Sequence, residues 1–412
     1  MGTITKIKEE FSFIRGNFLI LVLSWILMDF VNEMPGTYYG LFVKKVLGGD
    51  EFILGLIMFA SFIALASVQF PGGYLADKYG RKWLISTMTF GVALSYLLYA
   101  LAQSWEWILV GAVIANLCLI YQPALFAMVA DSLPPEKRGL GFSIINLITS
   151  VSTTPAPLIA GVLFLNFGLE GSMRICYFLV VAFYLAAAII RLRLRESIQT
   201  EEKVDLRGLL KAYPASLKES VRVWKKVPRS RFFLFIANLI LMFSLTMGQS
   251  FFVLYAVEVL HIPEFYWSLI LTALFITMIV ASLPIGKIID RFGRKKPLIT
   301  AYLLLVPAIL LIVYGDLIRL FIAFPLTGIA QLLFFSASAA LGADLVPKEQ
   351  RGKVQGFSSF FNYIFMALGN LIGGFLYKNI SPQLPFLIPL AFVPIELAIV
   401  LFLVKEPAEK EA

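Results

Sequence analysis

The sequence predicts an all-α membrane protein: twelve transmembrane helices in two pseudo-symmetric six-helix bundles. Three observations carry this. Hydrophobic residues make up 59% of the 412-residue chain and charged ones only 15%, against about 25% charged in a typical soluble domain. The apolar residues fall in runs of about 20, the length that crosses a bilayer core. A charged phrase also occurs twice. GYLADKYGRK at 73–82 returns as GKIIDRFGRK at 286–295, a spacing of 213 residues from Asp77 to Asp290.

Apolar runs bounded by charge or by Gly and Pro place the spans. Span 1, 17–42, carries a Pro35-Gly36 bend. Span 2, 53–76, ends in the charged turn Asp77–Lys82, and span 3, 83–103, follows it. Span 4, 106–130, stops at Asp131–Arg138. Span 5, 141–165, contains Pro155, Pro157 and Gly161, and span 6, 173–190, stops at the basic stretch from Arg191. Spans 7 (232–257) and 8 (266–289) lead into the second copy of the phrase at Asp290–Lys296. Spans 9 (297–314) and 10 (318–342) end at Asp344–Lys353. Spans 11 (354–377) and 12 (384–404) complete the set.

The basic residues orient these spans. Of 35 Lys and Arg, only Lys44, Lys45, Arg174, Arg319 and Lys378 fall in loops opposite the termini. Cations concentrate on the cytoplasmic side of membrane proteins. Both termini are therefore expected in the cytoplasm, in a multi-pass protein of the cell membrane. Span 1 is apolar enough for a signal peptide but lacks a following small-residue cleavage site.

The same 213-residue spacing relates Asp131…Arg138-Gly139 to Asp344…Arg351-Gly352, Glu51-Phe52 to Glu264-Phe265, and Gly161 to Gly374. Two parallel halves follow, residues 1–190 and 232–412. The linker between them, 191–231, reads as a charged segment with an amphipathic helix. Its Leu217, Val221 and Trp224 share one face, ringed by Lys218, Arg222, Lys225 and Lys226, which suits the surface of an anionic leaflet.

Composition also narrows the chemistry. The two cysteines, Cys118 and Cys176, sit in apolar runs, and the single histidine, His261, sits in a loop. No triad, metal cluster or phosphate loop is in evidence, so neither an enzyme nor a cofactor is expected. The net charge of +9 reflects topology and not nucleic-acid binding.

The phrase Gly73-x-Leu75-Ala76-Asp77-x-x-Gly80-Arg81-Lys82 resembles motif A of the major facilitator superfamily. It lies between spans 2 and 3, where that family carries it, with a weaker copy between spans 8 and 9. The resemblance covers nearly the whole chain and implies a monomeric secondary transporter working by alternating access. It further implies a cytoplasmic gate. Gly73 permits close helix approach, Gly80 a tight turn, and Asp77 faces the start of span 11 near Gly352–Gly356. Arg81 pairs with Asp131. In the second copy, with Gly286 and Gly293, Asp290 lies near Gly139–Gly141 and Arg294 near Asp344. Arg138 and Arg351 complete the set. These contacts would hold the inside shut.

In this architecture spans 1, 4, 7 and 10 line a central cavity. Ionisable residues at that depth are costly and therefore functional candidates. Asp29 and Glu33 lie four residues apart on one face of span 1. Their repeat partners are Met242 and Thr246, so the pair is not part of the duplicated scaffold. Glu396 on span 12 is a third candidate for proton or cation coupling. No Lys or Arg falls in the middle of any predicted span. Two carboxylates without a cation suit a cationic substrate, protons, or both, since neighbouring carboxylates in a dry site do not both ionise readily. Other cavity candidates are Asn32, Tyr38, Asn116, Tyr121, Gln122, Ser244, Gln249, Gln331 and Ser336.

Acidic residues on span 1 resemble the drug/proton antiporter branch. Span 4 lacks that branch's Arg, and Thr153–Gly161 matches its span-5 signature only in part. The expected function is proton-coupled export of lipophilic or cationic small molecules. The alternatives are a metabolite symporter and a divalent-metal exporter using the same carboxylates.

Overall fold

The computed structural model describes residues 13–134, 137–197, 214, 218, 221–222, 224, 227–347 and 350–406. Among them, eleven apolar helical segments are long enough to cross a membrane. One, Ile144–Arg191, has 48 residues. At about 1.5 Å per residue it is more than twice as long as a bilayer core is thick. It breaks at Gly168, whose φ of +67° and ψ of −176° do not belong to a helix, and so supplies most of span 5 and all of span 6. The other segments are Gly16–Gly36, Glu51–Gly73, Arg81–Ala100, Trp105–Asp131, Arg229–Val259, Glu264–Phe292, Lys295–Val313, Leu317–Asp344, Arg351–Asn379 and Leu384–Leu403. All twelve predicted spans are found. Span 1 breaks after Pro35-Gly36 and resumes as Tyr39–Lys45.

Local chemistry sets the span ends. Asp50 caps span 2, its Oδ1 accepting from Ile53 N at 2.8 Å. Asp316 caps span 10 in the same way, accepting from Arg319 N at 2.9 Å. The two copies of the charged phrase turn at Gly80 (φ +97°) and Gly293 (φ +84°), a conformation that costs glycine least. Two carboxylates that the repeat did not reveal sit at the next helix starts. Glu196 accepts from Arg81 N and Lys82 N at 3.0 and 2.9 Å. Glu406 accepts from Arg294 N and, at 2.7 Å, from Lys295 N. Each faces the positive end of a helix dipole, and each ties the chain after span 6 or span 12 to the start of span 3 or span 9.

Within the first half, span 1 packs on spans 5 and 6, and span 3 on spans 4 and 6. Within the second, span 7 packs on spans 11 and 12, and span 9 on spans 10 and 12. The halves meet through span 2 against span 11 and span 5 against span 8. Small residues allow both contacts, and the repeat relates them. A Cβ on Gly374 would lie 3.2 Å from Gly55 Cα and 2.6 Å from Glu51 O. A Cβ on Gly161 would lie 2.1 Å from Ser268 Oγ. Gly161 and Gly374 are repeat partners, as are Gly55 and Ser268.

The linker departs from its predicted boundaries at both ends. Arg191 closes span 6 and is fully buried; Arg231 lies inside the first turn of span 7 and is also buried. Of the predicted amphipathic helix, Leu217, Lys225 and Lys226 lie outside the described residues. Trp224 does not lie outward on a leaflet. It is buried against Phe235 and Phe357, with ring centroids at 4.6 and 5.0 Å, so the end of the linker is seated on spans 7 and 11.

Candidate transport site and gates

Asp29 and Glu33 are both half-buried on span 1. Asp29 Oδ2 accepts from Thr149 Oγ1 of span 5 at 2.7 Å, tying together two helices of the first half. The two carboxylates lie within electrostatic reach of each other. Asn32, between them in sequence and exposed, accepts from Tyr184 OH of span 6 at 3.0 Å.

The predicted absence of a cation does not hold. Arg191 is fully buried and its charge acts on Asp29. Its Nε donates to Ser24 Oγ at 3.0 Å and its Nη1 to Thr89 Oγ1 at 2.8 Å. Its guanidinium lies 5.4 Å from the centre of the Tyr121 ring. The sequence hid this residue by placing it first in a basic run, where it counted as a linker charge.

Several predicted cavity residues are elsewhere. Tyr121, under Arg191, is inside the first bundle. Ser244 is fully buried, its Oγ donating to Leu241 O at 3.1 Å within its own helix. Asn116 is half-buried, its Nδ2 donating to Ala112 O of its own helix at 2.9 Å. Tyr38 belongs to a gate, described below. Gln122 and Gln331 are half-buried, and Gln249 and Ser336 are exposed. Glu396 is fully buried, and neither of its oxygens has a partner among the described residues. Span 12 packs there on span 9, and Tyr302 lies in the carboxyl's field. Glu396 thus sits inside the second bundle, apart from Asp29 and Glu33.

On the side away from the termini, the halves are latched by charge. Lys44 Nζ reaches Glu51 Oε1 at 2.7 Å and, across the halves, Glu258 Oε2 at 2.6 Å. Lys45 faces Glu264 at 3.9 Å. Lys378, in the last turn of span 11, reaches Asp50 at the start of span 2 at 2.6 Å. Each charge of this last pair also suits its own helix end. Two neutral bonds add to the closure: Tyr38 OH donates to Glu264 O and Trp267 Nε1 to Thr37 O, both at 2.9 Å. Three of the five cations read as topology signals on this side are therefore gate residues. Burial opposes the charge of Lys44, but Glu258 and Glu51 outweigh it and hold the ammonium above its ordinary value. Partial burial also opposes the charge of Asp50. Lys378 and the amides of Ile53 and Phe52 outweigh it and hold that carboxyl below its ordinary value.

On the termini side the described residues show no such latch between the halves. The contact between spans 2 and 11 runs inward through Phe62–Tyr363 and Phe70–Phe360. A Cβ on Gly73, Gly286, Gly352 or Gly356 would meet nothing within 4 Å, so the predicted close approach at Gly73 is not made. Asp290 is not docked on span 5; its side chain is 79% exposed and pairs with Arg294 of its own turn at 3.2 Å. The pairs within each half are formed as predicted: Arg81 with Asp131, and Arg294 with Asp344 at 3.4 Å. Arg351 Nε donates to Ala343 O and Val346 O at 3.1 and 3.0 Å, fastening the turn between spans 10 and 11. The side chains of Asp77 and Arg138 lie outside the described residues. The predicted gate shuts the termini side; among the described residues its cross-half contacts at Gly73 and Asp290 are not made, and the latched face is the other one.

A twelve-helix membrane protein whose halves are latched at one face and, among the described residues, not at the other has the architecture of a carrier. The Major Facilitator Superfamily pattern matches residues 21–268 and again 234–412. The chain belongs to the major facilitator superfamily. It is 21% identical over 336 residues to an uncharacterized MFS-type transporter of Methanocaldococcus jannaschii, covering 81% of this chain and 84% of that one. It is 26% identical over 345 residues to the multidrug resistance protein MdtG of Enterobacter lignolyticus, covering 81% and 77%. The crystal structure of the nucleoside transporter NupG (D323A mutant) superposes with a TM-score of 0.74 at 17% identity, covering 95% of this chain and all of that one. The protein is a multi-pass membrane transporter, not an enzyme.

Proposed function

We propose that the protein is a proton-coupled exporter of lipophilic small molecules, cations among them, in the cell membrane with its termini in the cytoplasm. The observation that carries this is the pair Asp29 and Glu33. The two acids stand at membrane depth on one face of span 1, outside the duplicated scaffold, and Asp29 is held by Thr149 of span 5. A carboxylate there binds either a proton or a cation, and Arg191 behind it compensates the charge when neither is present. With the termini side open, a substrate enters from the cytoplasm and displaces the proton. The halves then rock. The far-side pairs of Lys44, Lys45 and Lys378 break, and the Gly73 and Gly286 surfaces close. The name of the Enterobacter lignolyticus relative, a multidrug resistance protein, supports a lipophilic cargo.

The test is proton movement in proteoliposomes loaded with a pH-sensitive dye. Addition of tetraphenylphosphonium to purified protein is expected to move protons in the opposite direction. Cation uptake with no proton movement would refute the coupling.

A further inference from the structure

The second half holds a cavity that proton coupling does not use. It lies among spans 7, 10 and 11 and has a volume of about 560 Å³, within the range of small-molecule sites. Arg231 is in its wall, 6% exposed. Its Nη2 donates to Ser358 Oγ at 3.2 Å, and its Nε has no hydrogen-bond partner among the described residues. Two more buried atoms in this wall are also unpartnered, Oδ1 of Asn238 and Oδ1 of Asn362. The Asn238 amide nitrogen is already engaged with Ser338 Oγ at 2.8 Å. Among the described residues no Asp or Glu lines the cavity, whereas Phe235 and Phe334 do.

Arg231 stands in the first turn of span 7 with the Trp224 ring 5.4 Å from its guanidinium, and a buried guanidinium with no carboxylate beside it among the described residues is costly. Gly342 shapes the approach to it. A Cβ there would lie 3.7 Å from Arg231 Nε and 4.0 Å from Nη2, so the missing side chain leaves room beside the guanidinium. The unused donor suits an anionic head, the two unused acceptors call for a ligand that also carries a hydroxyl, amide or ammonium hydrogen, and the aromatic wall suits an apolar body.

We propose that this cavity seats the anionic head (a carboxylate, sulfonate or phosphate) of an amphipathic small molecule, with the Arg231 guanidinium as its counter-charge. The claim that such a molecule is cargo rests on the transport reading above. Acids in the first half and a guanidinium in the second extend the substrate class from cations to zwitterionic and anionic amphiphiles.

Binding to the full-length protein in detergent tests this, with tritiated taurocholate as the amphipathic sulfonate and tritiated tetraphenylphosphonium as the cation. Wild type is expected to bind taurocholate. Arg231→Gln is expected to lower the ratio of taurocholate to tetraphenylphosphonium affinity by about tenfold or more. Arg231→Lys, which keeps the charge but loses the planar fork, recovers part of it. Gly342→Val covers the guanidinium edge while leaving Arg231 in place, and is expected to lower the same ratio even if Arg231→Gln does not fold. Absence of taurocholate binding by wild type overturns the proposal, as does a ratio unchanged by both substitutions. Taurocholate binding through Arg231 without tetraphenylphosphonium-driven proton movement would keep this site and sink the transport reading; the reverse pattern would sink this site alone.

Discussion

Asp29→Asn combined with Glu33→Gln is expected to abolish proton-driven efflux while leaving the protein folded. Both changes remove charge and keep shape. Asn at 29 still offers an oxygen to Thr149, whose Oγ1 donates to Asp29 in the structure, so the tie between spans 1 and 5 survives. What is lost is the site where proton and cation exchange. Charge-assisted contacts contribute about 1.5–3 kcal/mol each, so losing two should weaken cation binding by about a hundredfold or more. The pH dependence separates coupling from structure. Wild-type affinity for tetraphenylphosphonium should rise with pH as the acids ionise, and the double variant should be flat. Equal efflux by both proteins in inverted vesicles would remove the acids from the mechanism.

Lys44→Glu is expected to unlatch the far side. Lys44 holds Glu51 and Glu258 at 2.7 and 2.6 Å, and a carboxylate in its place would gather three acids at one point. Its side chain is 31% exposed, so solvent screens part of the effect. A shift of at least about tenfold in the balance between the two gate states is still expected. Spin labels on the far ends of spans 2 and 7 would report it as a longer distance, and an unchanged distance distribution would reject the latch. Acid acts on the neighbouring pair. Because latching depresses the Asp50 carboxyl, its contribution is complete above the ordinary value near 4 and is lost as pH falls through the depressed one. Alkali acts on Lys44, whose contribution is complete below its ordinary value and fades as pH rises through the raised one.

The spans, their breaks and the doubled turn were legible because bilayer thickness and backbone geometry leave few alternatives. Pro35-Gly36 broke span 1 as read, and Gly80 and Gly293 adopt the positive φ that their turn requires. The pair of Arg81 with Asp131 was legible through the resemblance to motif A, and the repeat carried it to Arg294 with Asp344. Other features lacked a pattern to read. Arg191 and Arg231 begin and end a basic stretch, so their burial could not be told from linker charge. Glu196 and Glu406 do equivalent work but are 210 residues apart rather than 213, which hid them from a fixed-offset search. Tyr38 and Ser244 were assigned to the cavity by span, and a span does not say which face a side chain takes. The far-side pairs join distant loops through contacts that no periodicity encodes. The gate state escaped for a different reason. The doubled motif describes contacts of one state, and the chain is built to leave it.

On the transport reading above, the latch of Asp50, Lys378 and Lys44 must open in every cycle. The most direct measurement is transport by a protein whose far side is tied shut. Asp50→Cys and Lys378→Cys, in a chain with Cys118 and Cys176 replaced, can be joined by a short reducible bis-thiosulfonate linker. Linked protein in liposomes is expected to move neither tetraphenylphosphonium nor protons, and reduction is expected to restore both. Undiminished transport by the linked protein would contradict it.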